Sequence, residues 1–117
     1  LLRRLLRNLL ENARRYGQPV GAGGVAEPVR LGMAVHTPVR GPAMVRVSVE
    51  DRGPGVPAEL RERIFEPFYR LPGASESVGG VGLGLSLVKS IATRHLGSVH
   101  CEDRPGGGAR FVVDLPL

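Results

Sequence analysis

Val45-Arg46-Val47-Ser48-Val49-Glu50-Asp51-Arg52-Gly53-Pro54-Gly55 is the stretch on which the fold turns. Its valines alternate with Arg46, Ser48 and Glu50, the two-residue period of a half-buried strand. The strand runs without a break into an acid and two glycines. An acid in that place can present its carboxylate into a cleft while the glycines let the backbone fold beneath a flat ligand. An ordinary turn, in which Asp is also common, is the plain alternative.

Working upstream, Val29, Leu31, Met33 and Val35 alternate with Arg30, Gly32, Ala34 and His36. This predicts a second half-buried strand, paired antiparallel with the first across turn residues 37–42. Residues 17–28 are rich in Gly, Pro and Ala and are expected to form a loop. Before them, apolar residues at 1, 2, 5, 6, 9, 10 and 13 have the spacing of an amphipathic helix that stops at Gly17. Asn8, Asn12 and Arg15 fall within about 60° of one another at the margin of its leucine stripe. Asparagine is a mediocre helix former, so the pair must be satisfied by something nearby, a neighbouring loop or a ligand.

Downstream, Pro57 suits the first turn of a short helix that turns Leu60, Ile64 and Phe65 inward and stops near Pro67. Phe68-Tyr69-Arg70 follows, then a small, polar loop, 71–78, expected to be a mobile flap. Next comes Gly79-Gly80-Val81-Gly82-Leu83-Gly84-Leu85-Ser86, leading into a helix with Leu87, Val88, Ile91 and Ala92 inward and Gly97 as its stop. A glycine-rich turn into a helix N-terminus attracts anions, phosphate above all; packing or hinge geometry is the alternative. Two last strands, 98–102 and 110–115, flank Pro105-Gly106-Gly107-Gly108. The order predicts an α+β fold, a two-layer sandwich with about three helices on one face of a mixed, mostly antiparallel sheet.

The chain's 117 residues suit one domain, and 42% hydrophobic with 23% charged residues suits a globular one. The single cysteine, Cys101, excludes an internal disulfide framework and suits a reducing compartment. No apolar run approaches a membrane span or a signal peptide, so no membrane contact and a cytoplasmic location are expected. The net charge of +5 could suggest nucleic acid, but 4% aromatics are too few for a base-stacking platform, and none is expected as a partner. Because the chain starts inside a helix without a methionine, it is expected to be a piece of something longer.

Four of these stretches, in order, resemble the motifs of one family. The chain looks like the catalytic ATP-binding domain of bacterial sensor histidine kinases, of the Bergerat fold. Its wider superfamily includes gyrase, the 90-kDa heat-shock chaperone and the mismatch-repair ATPase. Residues 8–16, Asn8-Leu9-Leu10-Glu11-Asn12-Ala13-Arg14-Arg15-Tyr16, are similar to the N box, and Asp51 to Gly55 to the first glycine box. Ile64-Phe65-Glu66-Pro67-Phe68-Tyr69-Arg70 is similar to the F box, and residues 80–86 to the second glycine box. The ending Asp114-Leu115-Pro116-Leu117 has the family's look.

The resemblance implies ATP and Mg²⁺ as cofactors. Asn12 would bind Mg²⁺ through its amide oxygen, with Asn8 in support. Arg15 and Arg70 would meet phosphate oxygens, and with Asn12 they form the catalytic set. Tyr16 would border the adenine pocket, and Asp51 would accept from the adenine exocyclic amine over Gly53 and Gly55. Gly80, Val81, Gly82, Leu83, Gly84 and Leu85 would shape the flap base and deliver N–H groups to the phosphates. Val81 stands where the family often has Thr or Ser, and no Lys or Arg lies between Leu71 and Gly80. Phosphate grip therefore rests more heavily on Arg15 and Arg70.

The implied activity is transfer of the γ-phosphate to a histidine, by positioning and charge neutralisation. His36, His95 and His100 are followed by Thr37, Leu96 and Cys101, not by the acid of the family's acceptor. The acceptor is thus expected on a dimerisation domain in a missing segment or another chain. A response regulator would follow downstream, and the full-length protein would be a homodimer. The strand expected before the first helix is absent. Glu11, turned away from the line of the two asparagines, is expected to play an exposed structural role. Competing readings are a hydrolysing ATPase or serine kinase of the same superfamily, and a degenerate docking or dimerisation module. With Asn8 where hydrolysing members carry an acid, the histidine-kinase branch is favoured.

Overall fold

A computed structural model describes residues 1–16, 29–69 and 83–117. The leucine-rich start forms α1 (Leu2–Tyr16), and the two alternating segments form β1 (Arg30–His36) and β2 (Met44–Glu50). After the glycine run comes α2 (Gly84–Arg94), then β3 (Ser98–Asp103) and β4 (Ala109–Pro116). The strands lie in the order β1-β2-β4-β3, and every ladder is antiparallel. The α+β architecture is the expected one. The last strand of the chain occupies the middle of the sheet.

Alternation puts Val47, Val49, Phe111, Val113 and Cys101 on one face, where they meet Leu5, Leu9 and Ala13 of α1 and Val88, Ile91 and Ala92 of α2. Leu9, Val88 and Val113 are fully buried. Each such side chain contributes about 1.5–3 kcal/mol relative to exposure. The opposite face is charged. Arg30, Glu50, Arg110 and Glu102 are register partners across all four strands, and their charges alternate. Glu50 stands 4.0 Å from Arg30 and 3.7 Å from Arg110, which also pairs with Glu102. Nearby, Arg46 clasps Asp114 with two bonds of 2.8 Å and holds its carboxyl below the usual aspartate range.

Three local expectations need correction. β1 is not half-buried: Leu31, Met33 and Val35 share the core face by register but are 49%, 72% and 66% exposed. The helices pack on β2, β3 and β4, so their layer stops short of the edge strand. The segment after Pro57 is not one helix but two 3-10 turns, Ala58–Leu60 and Arg63–Phe65. Neither has a side-chain cap, and a segment this short gains too few i→i−4 bonds to offset the cost of nucleating an α-helix.

The stop of α2 is the third. Leu96, not Gly97, takes the left-handed conformation, with φ 62°. The Gly97 N–H donates to the Ala92 carbonyl at 2.8 Å and the Leu96 N–H to that of Thr93 at 3.0 Å, the paired bonds of a Schellman cap. Gly97 is needed for another reason: a Cβ there would lie 2.2 Å from the Asp114 carbonyl oxygen of β4. Since Leu96 is 84% exposed, Leu96→Gly removes backbone strain with little loss of burial. It should stabilise the protein by about 0.5–1 kcal/mol. Gly97→Ala should destabilise it; urea midpoints at unchanged slope are the measurement.

Candidate functional site

Asp51 is the one buried charged side chain among the described residues, at 5% exposure. A carboxylate out of water must be satisfied. Its Oδ1 accepts from the Gly53 N–H at 3.0 Å and the Ala109 N–H at 3.1 Å. Its own N–H donates to the Ala109 carbonyl at 3.0 Å. The start of β4 therefore grips the end of β2 on both sides of the carboxylate. Oδ2 has no protein partner among the described residues. One saturated oxygen fixes the group, and the free one can accept from a ligand.

Two glycines make this closeness possible. At Gly108, φ is 106° and a Cβ would stand 2.0 Å from the Asp51 carbonyl oxygen; at Gly55, φ is 77° and a Cβ would stand 3.3 Å from the Gly108 oxygen. The loop after β2 and the β3–β4 turn thus touch backbone to backbone. Sequence reasoning missed Gly108 and Ala109, treating residues 105–108 as a plain turn. The signal was there: three successive glycines exceed what a tight hairpin needs.

On α1, Asn8, Asn12 and Tyr16 follow one another at four-residue intervals, all partly buried beside the Leu5, Leu9 and Ala13 stripe. The buried Nδ2 of Asn8 has no hydrogen-bond partner among the described residues. An orphaned donor calls for an acceptor. Arg15 is held by Glu11, Nε to Oε1, at 2.9 Å, and Glu11 also binds Arg14. Arg14, with Arg15, keeps the Glu11 carboxyl below its usual range. Glu11 is therefore engaged as an anchor for Arg15, whose side chain is 31% exposed.

Leu83 precedes α2 without a side-chain cap, Gly84 and Leu85 begin the helix, and the Ser86 hydroxyl donates back to the Leu83 carbonyl at 2.9 Å. From the F-box stretch, Ile64 and Phe65 enter the core, Phe65 edge-on to Phe111 at 6.3 Å. Phe68 has a left-handed backbone, φ 65°, and is 68% exposed; Tyr69 lies beneath the Arg63 guanidinium at 5.5 Å. Arg70, Gly80, Val81, Gly82 and the flap 71–78 lie outside the described residues. Cys101 is a core side chain whose thiol burial pushes up to about 12, so it is no nucleophile.

A conserved-family model described as histidine kinase-, DNA gyrase B- and HSP90-like ATPase matches residues 1–117. The chain belongs to this family. Among its relatives, sensor histidine kinase CpxA of Escherichia coli K12 is 40% identical over 113 residues, covering 96% of this chain and 22% of CpxA. Sensor protein RstB of the same strain is 41% identical over 123 residues, covering all of this chain and 24% of RstB. The chain spans between 11% and 26% of such relatives' lengths. The mycobacterial sensor histidine kinase MprB superposes with a TM-score of 0.69 at 29% identity, over 97% of this chain and 68% of that one. Full-length ShkA, solved in complex with AMPPNP, gives 0.67 at 31% identity, over 98% of this chain and 21% of that one. This is the ATPase-family domain found in sensor histidine kinases, and no described helix is long and apolar enough to cross a membrane.

The grip of the β3–β4 turn on Asp51 has a direct test. Gly108→Ala sets a methyl group against the Asp51 carbonyl in a conformation that side chains rarely adopt. It should cost at least about 2 kcal/mol and shift the Gly53 and Asp51 amide signals; a neutral variant would refute the close contact.

Proposed function

We propose that this domain binds Mg-ATP and presents the γ-phosphate to a histidine on a separate dimerisation domain, in a two-component signalling pathway. The observation that carries the reading is Asp51, with Oδ1 saturated by two backbone N–H groups and Oδ2 without a partner among the described residues. A fixed, acceptor-only oxygen suits the exocyclic amine of adenine and opposes the carbonyl that guanine places there. The AMPPNP complex of ShkA supports an adenine nucleotide as ligand. Gly53 and Gly55 let the backbone lie close to the base, and Tyr16 borders it.

The polar side of α1 fits the phosphate end. The orphaned Asn8 Nδ2 calls for an oxygen, and Asn12, one turn on, offers a neutral amide oxygen suited to a hard cation that takes its other ligands from phosphate and water. When bound, Mg²⁺ would neutralise phosphate charge. Arg15, steadied by Glu11, and Arg70 would hold phosphate oxygens; Gly80, Val81, Gly82, Leu83, Gly84 and Leu85 would supply N–H groups and the flap base. The histidine nitrogen would bond to the γ-phosphorus as the bond to the ADP oxygen breaks, so this domain's work is positioning. Residues 1–117 act as one catalytic ATP-binding unit. The complete protein is a cytoplasmic-facing homodimeric kinase that serves a response regulator.

A hydrolysing ATPase needs a carboxylate to activate water. Asn8 supplies none, and Glu11 is occupied by two arginines.

Calorimetric titration with ATP, ADP and GTP, with and without Mg²⁺, tests the ligand. Asp51→Asn keeps an oxygen for the two amides but turns an NH₂ toward adenine, so ATP affinity should fall at least tenfold with the melting temperature little changed. Unaltered affinity would sink the adenine assignment. Asn12→Ala should remove the Mg²⁺ enhancement of binding and cut phosphotransfer to a supplied dimerisation domain at least tenfold. Wild-type rates in that variant would refute its role.

A further inference from the structure

As the chain leaves β2, Asp51 is buried and the next residue, Arg52, is exposed. The Arg52 side chain reaches the β3–β4 turn. Its Nη1 lies 3.8 Å from the point where a Gly106 Cβ would stand, and the Arg104 Nη1 lies 4.0 Å from the same point. Two guanidinium groups thus lie within van der Waals reach of one point beside Gly106. Neither has a carboxylate partner among the described residues, and Arg104 bonds only to the Pro105 carbonyl, at 3.4 Å.

Other arginines of the domain differ in this respect. Arg14, Arg15, Arg46, Arg61 and Arg110 all have carboxylate partners. Asp103, the acid nearest in sequence to Arg104, is already taken: Arg61 binds it at 2.7 Å and fixes itself to the Val56 carbonyl at 3.2 Å. Beside Arg104 opens a cleft of about 610 Å³ between the loop after β2 and the β3–β4 turn, with Val56, Arg61, Asp103, Arg104 and Gly108 in its walls, the Asp103 carboxylate being held by Arg61. Like charges brought together repel unless an anion lies between them, and guanidinium forks match carboxylate and phosphate oxygens.

We propose that Arg52 and Arg104 form an oxyanion site that takes one carboxylate or phosphate group beside Gly106, where Arg104 borders this cleft. The bound group bridges the loop after β2 to the β3–β4 turn. The carboxylate could come from an acidic peptide and the phosphate from a small phosphate compound; both present the same oxygens.

The test is a ¹⁵N NMR titration of the whole chain with inorganic phosphate and, separately, with acetyl-Glu-Glu-amide, against chloride at matched ionic strength. Saturable shifts at Gly106, Gly107 and the Arg52 and Arg104 side chains are expected with at least one probe, and which probe saturates identifies the source. Arg52→Gln and Arg104→Gln should each weaken binding tenfold or more, and Arg40→Gln, an exposed arginine elsewhere, should leave it unchanged. Shifts no larger than with chloride, shifts confined to Asn12 and Arg15, or wild-type affinity in both variants would overturn the site. None of these outcomes depends on whether Asp51 reads adenine.

Discussion

A carboxylate withdrawn from water has to be given hydrogen bonds, and meeting that demand at Asp51 organises one end of the molecule. The donors are main-chain amides, so they cannot be adjusted by a change of rotamer. For the Ala109 N–H to arrive, β4 must begin where β2 ends, which is the register that pairs Glu50 with Arg110. For the chain to enter β4 from there, it must pass over Asp51 at a distance only glycine permits. A local need for two bonds thus dictates a long-range strand register. The same closeness turns Arg52 toward Arg104 and opens the neighbouring cleft.

The charged face of the sheet carries three of the chain's sixteen basic residues, each paired with an acid. Arg30, Glu50, Arg110 and Glu102 form a continuous row across four strands, with Arg46 and Asp114 clasped beside it. Exposed pairs of this kind add little stability singly. Their physical meaning is directional: a face so occupied belongs in water, which leaves the opposite face for the helices and makes the fold two layers thick.

Much of this was legible because local periodicity and burial agree. The alternation in residues 45–49 and the leucine spacing in residues 1–13 correspond directly to β2 and α1. The resemblance of four motifs added the family. Where reading failed, a non-local contact overrode a local rule. Nothing in Leu31, Met33 and Val35 tells that the helical layer stops before β1, because that depends on where α1 crosses the sheet. Gly97 looked like a helix stop, yet β4 passing against it is the reason for glycine there. At the candidate site, the acid and its flanking glycines were visible as types in a pattern. Its second amide donor was not, because a main-chain N–H leaves no mark on residue identity and Ala109 lies 58 positions away.

The placement of β4 between β2 and β3 has a consequence for how the domain is made. Phe111 and Val113, the middle of the core, follow every other described strand in the sequence, and without β4 the strands β2 and β3 share no edge. α1 and the β1–β2 hairpin are local and can form early, but the sheet is joined only by the long-range pairing of β4 with β2. Acquisition of the fold therefore waits on that pairing, and removing β4 takes out the keystone strand rather than an edge. Its loss would leave two separate pieces of sheet and an unsupported Asp51.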